Sequence, residues 1–421
     1  MKRSPPAERI TVVLACMVVL TGACTGGEPE GTERTPSEPI VVGSTLSLTG
    51  ALAPTAIIHQ ITGDLFIERL NEQGGLLGRS VEWEALDDES DEANVSSLYE
   101  RLITQEGVDL IMGPYATPNI LAAMAVAERH GYVLPQHTAV LAYALTYDCQ
   151  FPAWSASGQP NEFVPNEVFD ALQTLPAPPE TIAFLTNQAG STDYISHGEP
   201  NEDDVGAVDI ASERGYEVVL DVDYPPDISD WGPIASQVRD AAPDLVWMSG
   251  LAVDPVGFVE AFQQLDDDVP GMFLLFPAPG AVLGLGEAAE GALSVSIFEP
   301  NEAILDRSGP EVTEIVGDFE AAATEAGLPY TAMETQAVAS WTAWEILVSG
   351  VEGADSLDHQ EICSHLQANG ADTTFFGHLT FDPDQNNFYD SPQGIKQVQD
   401  GEWVLVWPED VAAAEIRELE G

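Results

Sequence analysis

Along the chain one unit repeats, a short β-branched run followed by a stretch with apolar residues at helical spacing. Ile40-Val41-Val42-Gly43 opens the series, and Ile57, Ile61 and Leu65 follow as far as Gly74-Gly75. Val81-Glu82-Trp83-Glu84-Ala85 predicts a second strand, and Val95, Leu98, Tyr99, Leu102 and Ile103 a second helix. The run Val108-Asp109-Leu110-Ile111-Met112 then leads into a helix from Pro118 to His130. Such β-α alternation predicts a parallel sheet covered by helices.

A Pro-rich break at Leu175-Pro176-Ala177-Pro178-Pro179 interrupts the pattern, which then restarts. Strands are predicted over 181–186, 217–222, 245–248 and 272–276, and helices over 203–214, 228–241 and 254–265. Residues 310–369 read as mostly helical, and short strands return around His378-Leu379-Thr380-Phe381 and Trp403-Val404-Leu405-Val406. Val411, Ala414 and Ile416 continue at helical spacing in an acidic tail over 408–421. The predicted fold class is α/β, two doubly wound lobes of the same kind with a cleft between them. Open α/β sheets bind small molecules at the carboxyl ends of their strands, so the turns after strands are where a site is expected.

At 421 residues and 44% hydrophobic content the chain can bury two sizeable cores. Charge alters the picture more. Asp and Glu number 70 against 13 Lys and Arg, a formal net of -57, and beyond the N-terminal segment Lys396 is the only lysine. Nothing here could displace counterions from phosphates, which excludes nucleic acid as a partner. Self-repulsion of this size weakens a compact state in dilute salt and is screened at high ionic strength, which points to a salty external habitat; ordinary acidic solubility is the other reading.

The N-terminus reads as an address. Lys2, Arg3 and Arg9 precede an apolar run from Ile10 to Leu20, and Thr21-Gly22-Ala23 lead to Cys24. That is the layout of an export signal, and the run is shorter than the ~20 residues a bilayer span requires. Leu20-Thr21-Gly22-Ala23-Cys24 is similar to a bacterial lipobox, with its leucine one place earlier than usual. Residues 1–23 are therefore expected to be a signal peptide, Cys24 a lipidated mature N-terminus, and residues 24–39 a flexible tether. The expected location is extracytoplasmic, anchored to the cell membrane. Cys149 and Cys363 remain; export permits them to pair, and two buried free thiols are the alternative.

The usual grounds for catalysis are missing: there is no Gly-rich phosphate loop, nucleophile elbow or paired-histidine zinc motif. Asp382-Pro383-Asp384-Gln385-Asn386 resembles the start of a calcium loop, but Asn387 stands where the turn glycine belongs and Gln393 where a bidentate Glu belongs, so a plain turn is expected. The seven histidines are scattered, and no metal site is predicted. Three polar turns follow strands: Ser47-Leu48-Thr49-Gly50, Gly113-Pro114-Tyr115-Ala116-Thr117 and Gln136-His137-Thr138-Ala139. Hydroxyls and free N–H groups at a helix start suit a carboxylate or carbonyl oxygen; for Thr117 a simple N-cap is the other reading.

At this point the chain resembles the Leu/Ile/Val-type branch of periplasmic solute-binding proteins, with its amide- and urea-binding relatives, from about Ile40 to Trp407. The motifs that carry the resemblance are Ser47-Leu48-Thr49-Gly50, Asn71-Glu72-Gln73-Gly74-Gly75-Leu76-Leu77-Gly78-Arg79 with Asp87-Asp88, Gly113-Pro114, Pro243-Asp244-Leu245-Val246, and Gly377-His378-Leu379-Thr380-Phe381-Asp382 with Gln399-Asp400-Gly401. The resemblance implies two lobes joined by a three-strand hinge, crossing near Trp154, Phe298 and Phe376. The first lobe would then be 40–153 plus 298–376, and the second 154–297 plus 377–407. It implies no catalysis and no cofactor, a monomer that captures a small molecule by hinge closure, and an ABC permease in the membrane as partner. A ligand-sensing subunit for a signalling partner is the alternative, and an acidic hydrolase a third reading. The implied ligand contacts are Ser47, Tyr115, Ala116, Thr117, His137, Thr138, Ala139, Tyr194 and Leu251. Amino-acid binders of this family present an acid from the second lobe to the α-ammonium, and Phe276-Pro277-Ala278-Pro279 offers none. A neutral amide or urea-like solute, or a carboxylate without an α-amine, gains weight from that departure.

Overall fold

The computed structural model describes residues 38–200, 204–391 and 393–419. The signal segment, Cys24 and the tether up to residue 37 lie outside the described residues. The chain opens as β1 (Ile40–Leu46), α1 (Ala53–Glu72), β2 (Val81–Asp87), α2 (Glu92–Arg101), β3 (Leu110–Ile111), α3 (Thr117–His130), β4 (Leu134–Gln136) and β5 (Gln150–Pro152). It continues through α4 (Pro160–Gln173), β6 (Thr181–Asn187), α5 (Gly190–His197), α6 (Ala207–Glu213), β7 (Glu217–Tyr224), α7 (Gly232–Ala241) and β8 (Leu245–Ala252). Next come α8 (Asp254–Gln263), β9 (Gly271–Pro277), α9 (Pro279–Leu283) and β10 (Leu293–Ser296). A helical stretch of α10 (Glu302–Ser308), α11 (Pro310–Glu325), α12 (Thr335–Ala354) and α13 (His359–Asn369) precedes β11 (Ala371–Thr373), β12 (Gly377–Leu379), β13 (Gly394–Gln399) and β14 (Glu402–Trp407).

The fold is α/β. One parallel sheet runs β2-β1-β3, with β4 and β5 paired parallel beside it. The larger sheet has the order β14-β13-β10-β9-β8-β6-β7, parallel except where β13 runs against β10 and β14. Its central strands show why it is wound on both faces. Ile182, Phe184, Leu245, Trp247, Phe273 and Leu275 enter one apolar cluster. Their neighbours Ala183, Leu185, Val246, Met248, Met272 and Leu274 enter another on the opposite face. Successive side chains of a strand point to opposite faces, so a run with no polar alternation must be covered twice. In the smaller lobe Ile40, Val42, Leu110 and Met112 likewise face α1, α11 and α12, and Ile111 faces the α2–α3 side.

Cys149 and Cys363 form a disulfide, with Cα atoms 5.4 Å apart, inside the first-lobe core. Three expectations need correction. The β11–β12 hairpin, Phe381 and Phe388 pack with the first-lobe clusters, so the chain joins the larger sheet only at β13 and not near Phe376. Among the described residues the helix expected over 203–214 is α6, which begins only after Gly206, extended at φ -130° and ψ -170°. The tail adopts no helix over 408–419. Instead, Gln397 and Gln399 of β13 donate their side-chain amides to the carbonyls of Arg417 and Glu415, and Ile416 and Leu419 cover the second-lobe core. That apolar pair answers the face of the sheet around β13, which explains a spacing that imitated a helix. No described helix is long and apolar enough to cross a membrane.

Candidate functional site

A cavity of about 1080 Å³ lies where the strand ends of the two sheets face each other. Its first-lobe wall begins at the turn after β3. The Gly113 N–H donates to Pro135 O at 2.9 Å, and a Cβ there would stand 2.8 Å from that same oxygen, so only glycine lets the turn close on β4. Ala116 follows at φ 74°, ψ 142°, a conformation rare for residues with a Cβ and characteristic of strained sites. This places Thr117 at the start of α3 with no side-chain cap over the helix N-terminus. Pro118 has no N–H and Ile120 donates to Ala116 O, so the first-turn N–H groups of Thr117 and Asn119, which have no intrahelical acceptor, are left for an oxygen in the cavity.

Deeper in, Thr138 and Gln336 line the cavity, and their Oγ1 and Oε1 atoms are shielded from solvent without a partner. Behind them the buried rings of His59 and His137 stack with centroids 4.4 Å apart, and His59 lies 4.9 Å from the Tyr115 ring. Burial, reinforced by His137, holds His59 well below the usual histidine range. Gln336 opposes that shift from close by, without a well-aligned hydrogen bond between the two side chains. Burial also lowers His137, to about 4. Tyr115 is pushed up to about 12 by burial, its phenol being close to Thr55.

The rim is acidic. Glu89 and Ser90 both take left-handed backbone angles, φ 58° and 61°, locked by their neighbours. Asp87 accepts from Thr49 and from the Glu89 N–H, while Asp88 accepts from Ser47 Oγ at 2.6 Å and from the Ser90 N–H at 3.0 Å. The loop presents Glu89, Asp91 and Glu92, all exposed, at the cavity edge. Asp91 also caps α2 by accepting from the Ala93 N–H. The second-lobe wall is mainly apolar, with Pro226, Leu251, Ala252 and Phe276, and its polar part is Ser191 in the first turn of α5.

Gln336 is placed by the start of α12. Glu334 accepts from the Gln336 N–H at 3.1 Å and reaches Lys396 Nζ on β13 at 3.6 Å. Lys396 is 2% exposed, donates to Glu299 at 2.8 Å and lies 5.0 Å from the centre of the Trp403 ring. Tyr330 donates its hydroxyl to the same Glu299. Burial pulls the Lys396 pKa down, but Glu299 and Glu334 outweigh it and hold the ammonium above the usual lysine value. Burial raises Glu334 in spite of Lys396.

Of the residues expected to meet a ligand, Tyr115, Ala116, Thr117, Thr138 and Leu251 line the cavity. Four others sit elsewhere. Ser47 is spent on Asp88, and Ala139 is buried with its N–H given to Gln136 Oε1. His137 stands one layer back, and Tyr194 is buried edge-on against Tyr143. Sequence reasoning missed Gln336, because a residue in a long helical stretch carries no signal of where its helix begins. It also missed the Glu89 loop, whose position depends on side-chain bonds to Asp87 and Asp88.

Among the described residues one cluster outside the cavity could ligate a metal: Asp193, His197 and Asp223. Both ring nitrogens of His197 already face carboxylates, Asp193 at 2.9 Å and Asp221 at 3.5 Å. The Asp221 bond leads the effects that raise His197 to about 9, so an imidazolium fills the place a metal would need.

A sequence model of the family described as periplasmic binding protein matches residues 39–402. The chain is 21% identical over 397 residues to a Leu/Ile/Val-binding protein homolog of Brucella abortus, covering 89% of this chain and 92% of that protein. Among solved structures, a solute-binding protein of an ABC transporter from R. palustris in complex with benzoate superposes with a TM-score of 0.70 at 18% identity, covering 90% of this chain and 99% of that one. A branched-chain amino acid transporter substrate-binding protein from Streptococcus pneumoniae in complex with isoleucine superposes with a TM-score of 0.68 at 17% identity, covering 88% and 100%.

Proposed function

The chain belongs to the periplasmic binding protein family, and on that premise we propose that it is the exported substrate-binding component of an ABC importer, capturing a small amino-acid-like, amide or urea-like solute. The observation that carries this reading is the cavity at the strand ends of both sheets, with a strained, uncapped helix start and the unpartnered Thr138 and Gln336 on one side. A solute docked on the first-lobe turns gains Leu251, Phe276 and Ser191 when the second lobe closes. That difference in contact favours the closed form. Lipidation at Cys24 would keep the body near its permease.

The uncapped α3 N-terminus supports a second ligand class, a carboxylate without an α-amine. Thermal denaturation at high salt against amino acids, short amides, urea and small carboxylates tests the function. A ligand that binds only the folded protein must raise its melting point, so a panel in which no solute does so removes the reading.

A further inference from the structure

Thr138 Oγ1 and Gln336 Oε1 belong to residues lining one end of the cavity and are buried without a partner, and one layer behind them both ring nitrogens of His59 and Nδ1 of His137 are likewise buried and unpartnered. A buried polar atom left unpaired is costly, and two of them in one cavity wall call for a bound group that completes them. We propose that Gln336 and Thr138, backed by the His59–His137 pair, form the head-group pocket of the binding site, and that it selects an uncharged group that donates and accepts hydrogen bonds at once, a carboxamide or urea. This rests on the solute-binding reading above and narrows its ligand.

The donor and acceptor inventory gives the reason. A neutral imidazole has one N–H and one lone pair, an amide side chain has both kinds of group, and a hydroxyl can serve as either. Two imidazoles stacked at 4.4 Å inside a buried layer cannot both be charged. The elements around the pair supply no free ion. Helix α1 gives His59 and Thr55, the turn after β3 gives Tyr115, the turn after β4 gives His137 and Thr138, and α12 gives Gln336. Glu334, at the α12 start, is committed to Lys396 and to the Gln336 N–H. A carboxylate or ammonium seated here would lose its hydration without meeting an opposite charge. The acidic rim of Glu89 and Glu92 further disfavours entry of an anion. Gln336 and Thr138 touch the head group; His59, beside the Gln336 side chain and stacked on His137, is a positioning residue that orients that amide and adds no charge.

The test is calorimetric titration at high salt with isobutyramide, isobutyrate and isobutylamine, which share one apolar body. Isobutyramide should bind at least about tenfold more tightly than either ion, with an affinity flat from about pH 5.5 to 8 because neither ring titrates there. Gln336→Glu should weaken the amide at least about tenfold and turn the preference towards the amine. His59→Phe keeps the ring stack and the neutrality but removes the ring nitrogen beside the Gln336 side chain, so Gln336 loses its orientation and amide-over-acid selectivity should fall without weakening all three probes alike. The unliganded melting point of each variant reports whether it is folded. Isobutyrate binding as tightly as the amide, or selectivity unchanged in both variants, overturns the assignment. Isobutyramide failing to bind while another solute of the wider panel does bind overturns this pocket alone, whereas no solute binding at all removes the solute-binding reading with it.

Discussion

Replacing Lys396 with methionine removes the single cation from a buried triad. Lys396, Glu299 and Glu334 have side-chain exposures of 2%, 3% and 6%, and the ammonium stands 2.8 and 3.6 Å from the two carboxylates. At an effective dielectric constant of ~20 the gross attractions are about 6 and 5 kcal/mol, and the desolvation of three ions offsets most of them. The variant keeps the desolvation and the mutual repulsion of the carboxylates but loses the attraction, which should cost about 3–5 kcal/mol. For a lobe of this size that is a fall of roughly 6–20 °C in melting point. The pH dependence fixes the cause. Burial already raises Glu334 in spite of Lys396, and without the ammonium nothing opposes that rise, so the penalty is full at neutral pH and shrinks as pH falls through the Glu334 pKa. Replacing all three residues, with Lys396→Met, Glu299→Gln and Glu334→Gln, should recover most of the loss, because no unpaired buried charge remains. A Lys396→Met protein that melts within a degree or two of the parent at neutral pH would refute the reasoning.

Three further outcomes follow from the same physics. Serine at both Cys149 and Cys363 opens a cross-link spanning 214 residues, for which chain entropy alone gives about 5 kcal/mol; the first-lobe transition should fall in denaturant while solute affinity changes little, since both cysteines lie in one core. His197, raised to about 9 with the Asp221 bond as the leading cause, contributes stability that is complete below its unfolded pKa and is lost as pH rises through about 9; His197→Gln should flatten that decline in melting curves between pH 7 and 10, and an unchanged slope would count against the imidazolium. With a formal net charge of -57, the melting point should climb steeply with sodium chloride as repulsion is screened, and a salt-independent value would contradict the salty habitat.

Period-2 and period-3.6 patterning was sufficient to expose the α/β order, because strand segments such as Leu245–Met248 are buried on both faces and are apolar at every position. It failed where a segment answers a neighbour distant in the chain. Ile416 and Leu419 are apolar for the sake of β13 and the core beneath it, and Leu379 and Phe381 for the sake of the first lobe. The site was partly legible, since Thr117 and Thr138 follow strands, where cavities form. Ser47 had the same credentials and proved to be a bracket for Asp88, a difference that depends on a side chain 41 residues away. Gln336 gave no sign, because its place is set by a cap on Glu334 and an ion triad assembled from three separate segments.

The burial of Lys396 has a practical corollary for chemical footprinting. Lys2 lies in the expected signal peptide, and the one remaining lysine side chain is walled off by Trp403 and two glutamates. An acylating reagent should therefore leave the native body nearly unmarked at lysine and modify it only as the junction between the sheets comes apart, so that the rate of marking becomes a one-residue clock for unfolding.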